Sequence, residues 1–120
     1  MLIGSLVYNI INKYLIKMHI NDLTTKTIFS RSTDDYDLTV DATGNVALLE
    51  IRFKRAMVVT PYQNITYVNT EATPFRNVII SNAFNANYYV EIRTGKGIYC
   101  SNTTEIPLNA TFHGAYLLAY

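Results

Sequence analysis

LNATFHGAYLLAY, residues 108–120, alternates along its length as a β-strand does. Side chains of a strand point to opposite faces in turn, so Leu108, Ala110, Phe112, Gly114, Tyr116, Leu118 and Tyr120 share one apolar side. Asn109, Thr111, His113, Ala115, Leu117 and Ala119 share the other, which turns from polar to apolar toward its end. The pattern predicts one long strand tied into a sheet, because a chain end left unpaired would fray. A compact β-sandwich with this strand deep in the sheet suits it.

Working back from Pro107, short apolar runs and turn signals continue the same theme. Ile98-Tyr99-Cys100 follows the hairpin signal Thr94-Gly95-Lys96-Gly97, and Tyr88 to Arg93 follows the polar turn Asn85-Ala86-Asn87. Phe75 to Ile80, Ile65 to Val68 and Ala56 to Thr60 are further runs, the last stopped by Pro61, which lacks an amide to donate. Leu38-Thr39-Val40 and Val46 to Phe53 flank the turn Asp41-Ala42-Thr43-Gly44-Asn45. Seven or eight short strands predict an all-β fold, a β-sandwich or jelly-roll-like domain over residues 38–120. The polar stretch 21–37 reads as a connector with room for one strand around Ile28-Phe29.

The start differs in period. Leu2, Ile3, Leu6, Val7, Ile10, Ile11, Tyr14 and Leu15 recur at three-and-four spacing, which predicts a short N-terminal amphipathic helix within residues 1–20. No basic region precedes the apolar run and no small-residue cleavage site follows it, so it does not read as a signal peptide. Interrupted by Asn and Lys, it is too short to span a bilayer. Ile3, Val7, Ile10 and Tyr14 form the candidate oligomer or docking seam, and an apolar stripe of that kind predicts a homo-oligomer, a trimer, with a neighbouring chain covering it.

Charge and composition narrow the function. The net charge is +1 and charged residues make up 16% of the chain, so no basic stripe exists to neutralise phosphates and nucleic acid is not an expected partner. One cysteine excludes an internal disulfide, and Cys100 reads as a small buried hydrophobe. His19 and His113 have no Cys, Asp or Glu at ligand spacing, and neither has the context of a general base. Asp34-Asp35-Tyr36-Asp37, with Asp41 beyond, lacks the spacing of an EF-hand loop and reads as a solvated acidic turn. The sequons at Asn64, Asn102 and Asn109 read as turn and strand-edge residues. No catalytic residue, metal site or cofactor is expected.

What remains is contact. Ten tyrosines with no tryptophan, among abundant Asn and Thr, suit rigid aromatic faces with adaptable hydrogen bonds. The candidate ligand residues are Asn85, Asn87, Tyr88, Tyr89 and Arg93, where a tyrosine could stack on a sugar ring and the amides could bind its hydroxyls. Of Tyr88 and Tyr89, adjacent in a strand, one is expected in the core and the other exposed.

The order of features from Leu38 onward, with the turn Asp41-Ala42-Thr43-Gly44-Asn45, the run Ala56-Met57-Val58-Val59-Thr60, the strand Asn87-Tyr88-Tyr89-Val90-Glu91-Ile92 and the closing stretch Ile106 to Tyr120, resembles the distal domains of bacteriophage tail-fibre and receptor-binding proteins. The resemblance covers the last two-thirds of the chain through loose patterns and brings no catalytic or metal residue with it. It implies a jelly-roll-like head, usually trimeric, on the virion surface, contacting a host-cell receptor such as a glycan. A capsid decoration, head-fibre or adaptor subunit meeting other virion proteins is the alternative expectation.

Overall fold

The computed structural model describes residues 24–82, 84–85 and 88–119. The expected N-terminal helix, with Ile3, Val7, Ile10 and Tyr14, lies outside the described residues, as does Asn87. Within them the chain is mostly β-strand in antiparallel sheets, with one short 3-10 turn at Thr70–Ala72.

Three strands open the fold as a meander: β1 (Thr25–Ser32), β2 (Tyr36–Thr43) and β3 (Val46–Phe53). The β2–β3 hairpin closes on two residues, with Gly44 at φ 61° in the first position, where the II′ turn calls for a residue free of a Cβ. Burial along β3 alternates strictly: Ala47, Leu49, Ile51 and Phe53 are buried while Val46, Leu48, Glu50 and Arg52 face outward. The last strand, β10 (Thr111–Leu117), pairs with β3 and completes the order β1-β2-β3-β10.

The second sheet contains β5 (Asn64–Tyr67), β6 (Val78–Ser81), β7 (Tyr89–Ile92) and β8 (Gly97–Cys100), ordered β5-β8-β7-β6. Its β6-β7-β8 meander with β5 returned to the far side of β8 is the strand order of a Greek key. Two residues each of β4 (Met57–Val58) and β9 (Glu105–Ile106) form a small third ladder. Buried residues of both four-stranded sheets, among them Leu38, Leu49, Phe53, Ile80, Ile92, Ile98 and Phe112, make one apolar cluster. Phe53 is its aromatic hub, edge-on to Phe112 at 5.9 Å and tilted against Tyr36 at 6.1 Å between ring centroids. Cys100 is buried, as its sequence context suggested.

Two expectations about the closing strand need correction. The closing strand begins at Thr111 rather than Leu108: Asn109 takes φ 65°, and Leu108 and Asn109 turn the chain before pairing starts. Its inner face is the expected one, with Phe112 and Tyr116 buried, yet β10 is the outer strand of its four-stranded sheet and not a deep one. In the stretch 21–37 the strand allowed for around Ile28-Phe29 is β1, which fills eight residues, and β2 starts at Tyr36. β1 carries a bulge between Thr27 and Phe29, and the extra residue Ile28 gives its carbonyl to the Asn69 side chain at 3.0 Å.

The acidic turn is solvated but not unpaired. Register places Asp37 opposite Arg52, and Asp37 lies 3.3 Å from that guanidinium and 3.2 Å from the Lys54 ammonium. Arg55 lies 3.3 Å from Asp35 and 3.9 Å from Asp34. Among the described residues no group of His, Cys, Asp and Glu could hold a metal ion.

Asp37 titrates below its ordinary 3.8 because Ser32 donates a hydrogen bond to it, and Lys54 and Arg52 favour its charged form. A carboxyl depressed in the native state stabilises the fold above its ordinary value, and that contribution is lost as pH falls through the lower native value. Melting temperature followed from about pH 6 down to about pH 2 should therefore fall less steeply in Asp37→Asn than in the parent chain. Parallel curves would show that the paired carboxylate contributes nothing to acid sensitivity.

Candidate ligand-binding site

The sequence-predicted ligand residues separate into two places. β7 runs between them, so Tyr88 and Arg93 stand roughly 16 Å apart along extended chain. Neither Tyr88 nor Tyr89 is fully in the core or fully out: both are half-buried, and Tyr88 packs against the edge of the apolar cluster. The alternation argument failed at Tyr88 because it precedes the first paired residue of β7.

The first place is a cleft of about 240 Å³ where the end of β6 meets the turn before β10. Asn82 bridges Phe112 there, and its side-chain amide donates to the Thr111 carbonyl at 3.0 Å. Its side-chain oxygen accepts from the backbone amides of Phe84 and Asn85 at 2.9 and 3.1 Å, so Asn82 shapes the loop as an Asx turn. Two backbone bonds close the loop, Asn82 to the Tyr88 carbonyl and Tyr88 to the Asn85 carbonyl. The opposite wall is Pro107 to Ala110, held by Asn109 donating to the Phe53 carbonyl and Phe53 donating to the Ala110 carbonyl, both at 2.9 Å. Tyr88 and Phe84 supply aromatic surface, while Asn85 and Asn109 bring amides to the walls. Phe84 is 96% exposed, an unusual position for a phenyl ring.

The second place is the outer face of the second sheet. Val90 and Ile92 point inward, so Tyr89, Glu91 and Arg93 share the outer face with Tyr99, which lies opposite Glu91. The Arg93 guanidinium sits 3.8 Å from the Tyr99 ring centroid and is ion-paired to Glu91. That hydrogen bond to Glu91 raises the Arg93 pKa further above its already high value. The Tyr99 ring lies over Gly97, where a Cβ would come within 2.7 Å of it. The tyrosine ring thus packs against both the Arg93 cation and the Gly97 backbone. This stack is already satisfied within the chain, which leaves Arg93 poorly placed to serve a ligand.

Asn85 and Tyr88 are thus brought together, Tyr89 and Arg93 are placed elsewhere, and Phe84, Leu108 and Asn109 join the site unannounced. Alternation alone places Asn109 within a strand, although Pro107 two residues ahead is a turn signal. Phe84 gave no signal at all, since a lone phenylalanine in a polar loop reads as a core anchor. No protein-family model and no characterised protein matches the chain.

Proposed function

We propose that the chain is a non-enzymatic binding module of a bacteriophage virion surface, a β-sandwich of jelly-roll-like form whose cleft at Tyr88 takes a host-surface glycan. The observation that carries this reading is the cleft itself, with aromatic surface from Tyr88 and Phe84 beside the amides of Asn85 and Asn109. A sugar offers an apolar ring face and a rim of hydroxyls, and those residue types meet both. Its volume of about 240 Å³ is below the 300–1,000 Å³ usual for drug-sized ligands, which suits one ring of a longer chain. Single-site binding of this kind is weak and gains strength from many copies on one particle. The virion setting rests on the resemblance of residues 38–120 to tail-fibre heads.

A glycan array and intact bacterial cells, probed with the full chain displayed multivalently, test the reading. Phe84→Ala and Asn85→Ala are the informative variants, because both side chains are exposed and their loss leaves the core untouched. Each is expected to weaken binding by about tenfold, equivalent to about 1.4 kcal/mol. Absence of binding to every glycan and every cell would remove the reading. The apolar share of the same cleft, with Phe84 and Leu108 exposed, favours a second one, in which a decoration or adaptor subunit docks on another virion protein. Binding to purified particles without binding to cells would select it.

A further inference from the structure

The outer face of the first sheet divides along β3 and β10, while β1 and β2 keep it polar throughout, with Asp41 opposite Leu48 and Thr43 opposite Val46. Toward one end it is polar, with Asp37, Thr39, Glu50, Arg52 and His113 in neighbouring register positions. Toward the other, Val46 lies opposite Leu117 and Leu48 opposite Ala115. Val46 is 44% exposed, Leu48 52% and Leu117 53%. Phe75, 58% exposed, donates its backbone amide to the Leu117 carbonyl at 2.8 Å and extends the patch past β10. Beside it, Phe75, Arg76, Val78 and Leu117 line a hollow of about 370 Å³.

Such a corner amounts to a few hundred Å² of apolar surface, which is within what one chain exposes at a binding site. It falls short of the roughly 800 Å² per partner of a stable interface, so a second copy seated on the corner alone would not hold. The chain itself supplies a better occupant. Thr25 pairs with Thr43, Thr43 with Val46 and Val46 with Leu117, so the chain enters the sheet at Thr25 in the very row that carries the apolar corner. Three strand spacings separate that entry from Leu117, about 14 Å. The nine residues 16–24 reach up to about 30 Å when extended, ample to return residues 2–15 across the sheet. Those residues carry Leu2, Ile3, Leu6, Val7, Ile10, Ile11, Tyr14 and Leu15, the one long apolar stripe of the sequence.

We infer that the corner formed by Val46, Leu48, Leu117 and Phe75 is the seat of the apolar stripe of residues 2–15 of the same chain. The short tether gives that contact a high effective concentration, so the chain satisfies its own stripe before another copy can. This arrangement is independent of what the cleft at Tyr88 binds.

Amide hydrogen exchange on the full chain, with light scattering on the same samples, tests it. The expected result is a monomer whose amides in residues 2–15 are protected, with protection falling about tenfold in Leu48→Glu and in Leu117→Glu while β2 and β3 are unchanged. Both side chains face solvent in the sheet, and Ile10→Glu, which alters only the stripe, provides the same loss from the other side. Unprotected amides in the parent chain would overturn the inference, and so would protection indifferent to all three substitutions. An oligomer whose stripe protection rises with protein concentration would overturn it too, by assigning the seat to a neighbouring chain.

Discussion

Phe53→Ala is expected to cost about 3–5 kcal/mol of folding stability, the range found when a buried phenylalanine is truncated. The ring is fully buried and touches the aromatic rings of Tyr36 and Phe112, so its removal strips the hub that joins β2, β3 and β10. Surrounding strands cannot close the void, because β3 is paired on both sides along its length. A domain of this size has about 5–15 kcal/mol in total, so the substitution removes a large fraction of it. Urea titration gives the number directly, and the midpoint should fall with the slope unchanged. Phe53→Leu keeps most of the volume and should cost less than about 1.5 kcal/mol. Equal losses in the two variants would contradict the account, since they would show that cavity formation is not the cause.

The strands that could be read in advance are those with one wet and one dry face. Val46 to Phe53 alternates in the sequence and alternates in burial, because β3 sits between two neighbours and must put every second side chain into the core. β1 was obscured for the opposite reason. TKTIFSRS is an edge strand, most of its residues are exposed, and its polar side chains pair across the strand, Thr25 with Thr43 at 2.6 Å and Thr27 with Asp41 at 2.7 Å. Polar cross-strand pairs stabilise a sheet without leaving an apolar period to detect. Likewise Asp34, Asp35 and Asp37 find Arg52, Lys54 and Arg55 only once the hairpin aligns them. The candidate site was half legible: proximity in sequence grouped Asn85 and Tyr88, which line one cleft, with Arg93, which a strand carries to the other end of the sheet. Loop partners such as Asn109, distant in sequence, come from the packing of β6 against β10 and leave no local trace.

One buried hydroxyl ties β1 and β2 of the first sheet to β5 of the second, which makes Thr66→Val the second substitution with a large expected effect. Thr66 on β5 is buried, and its side-chain oxygen accepts from the Tyr36 hydroxyl at 2.7 Å and from the Arg31 guanidinium at 3.0 Å. β1 and β2 of one sheet are thereby tied to an edge strand of the other. Valine keeps the shape but leaves the Tyr36 hydroxyl without that acceptor, and an orphaned buried donor costs about 1–3 kcal/mol. Removing the donor as well should recover much of the loss, because replacing both partners by apolar groups of the same shape is close to neutral. The test is a double-mutant cycle of Thr66→Val and Tyr36→Phe, read by chemical denaturation. The double variant is expected to be more stable than the sum of the two single losses by about 1 kcal/mol or more. Strict additivity would mean that water or a shifted side chain satisfies Tyr36 in the absence of Thr66, and the hydroxyl would then not be what ties β5 to β2. Arg31 separates the remaining possibility: if its guanidinium is the costly partner, Arg31→Leu rather than Tyr36→Phe will restore the stability of Thr66→Val.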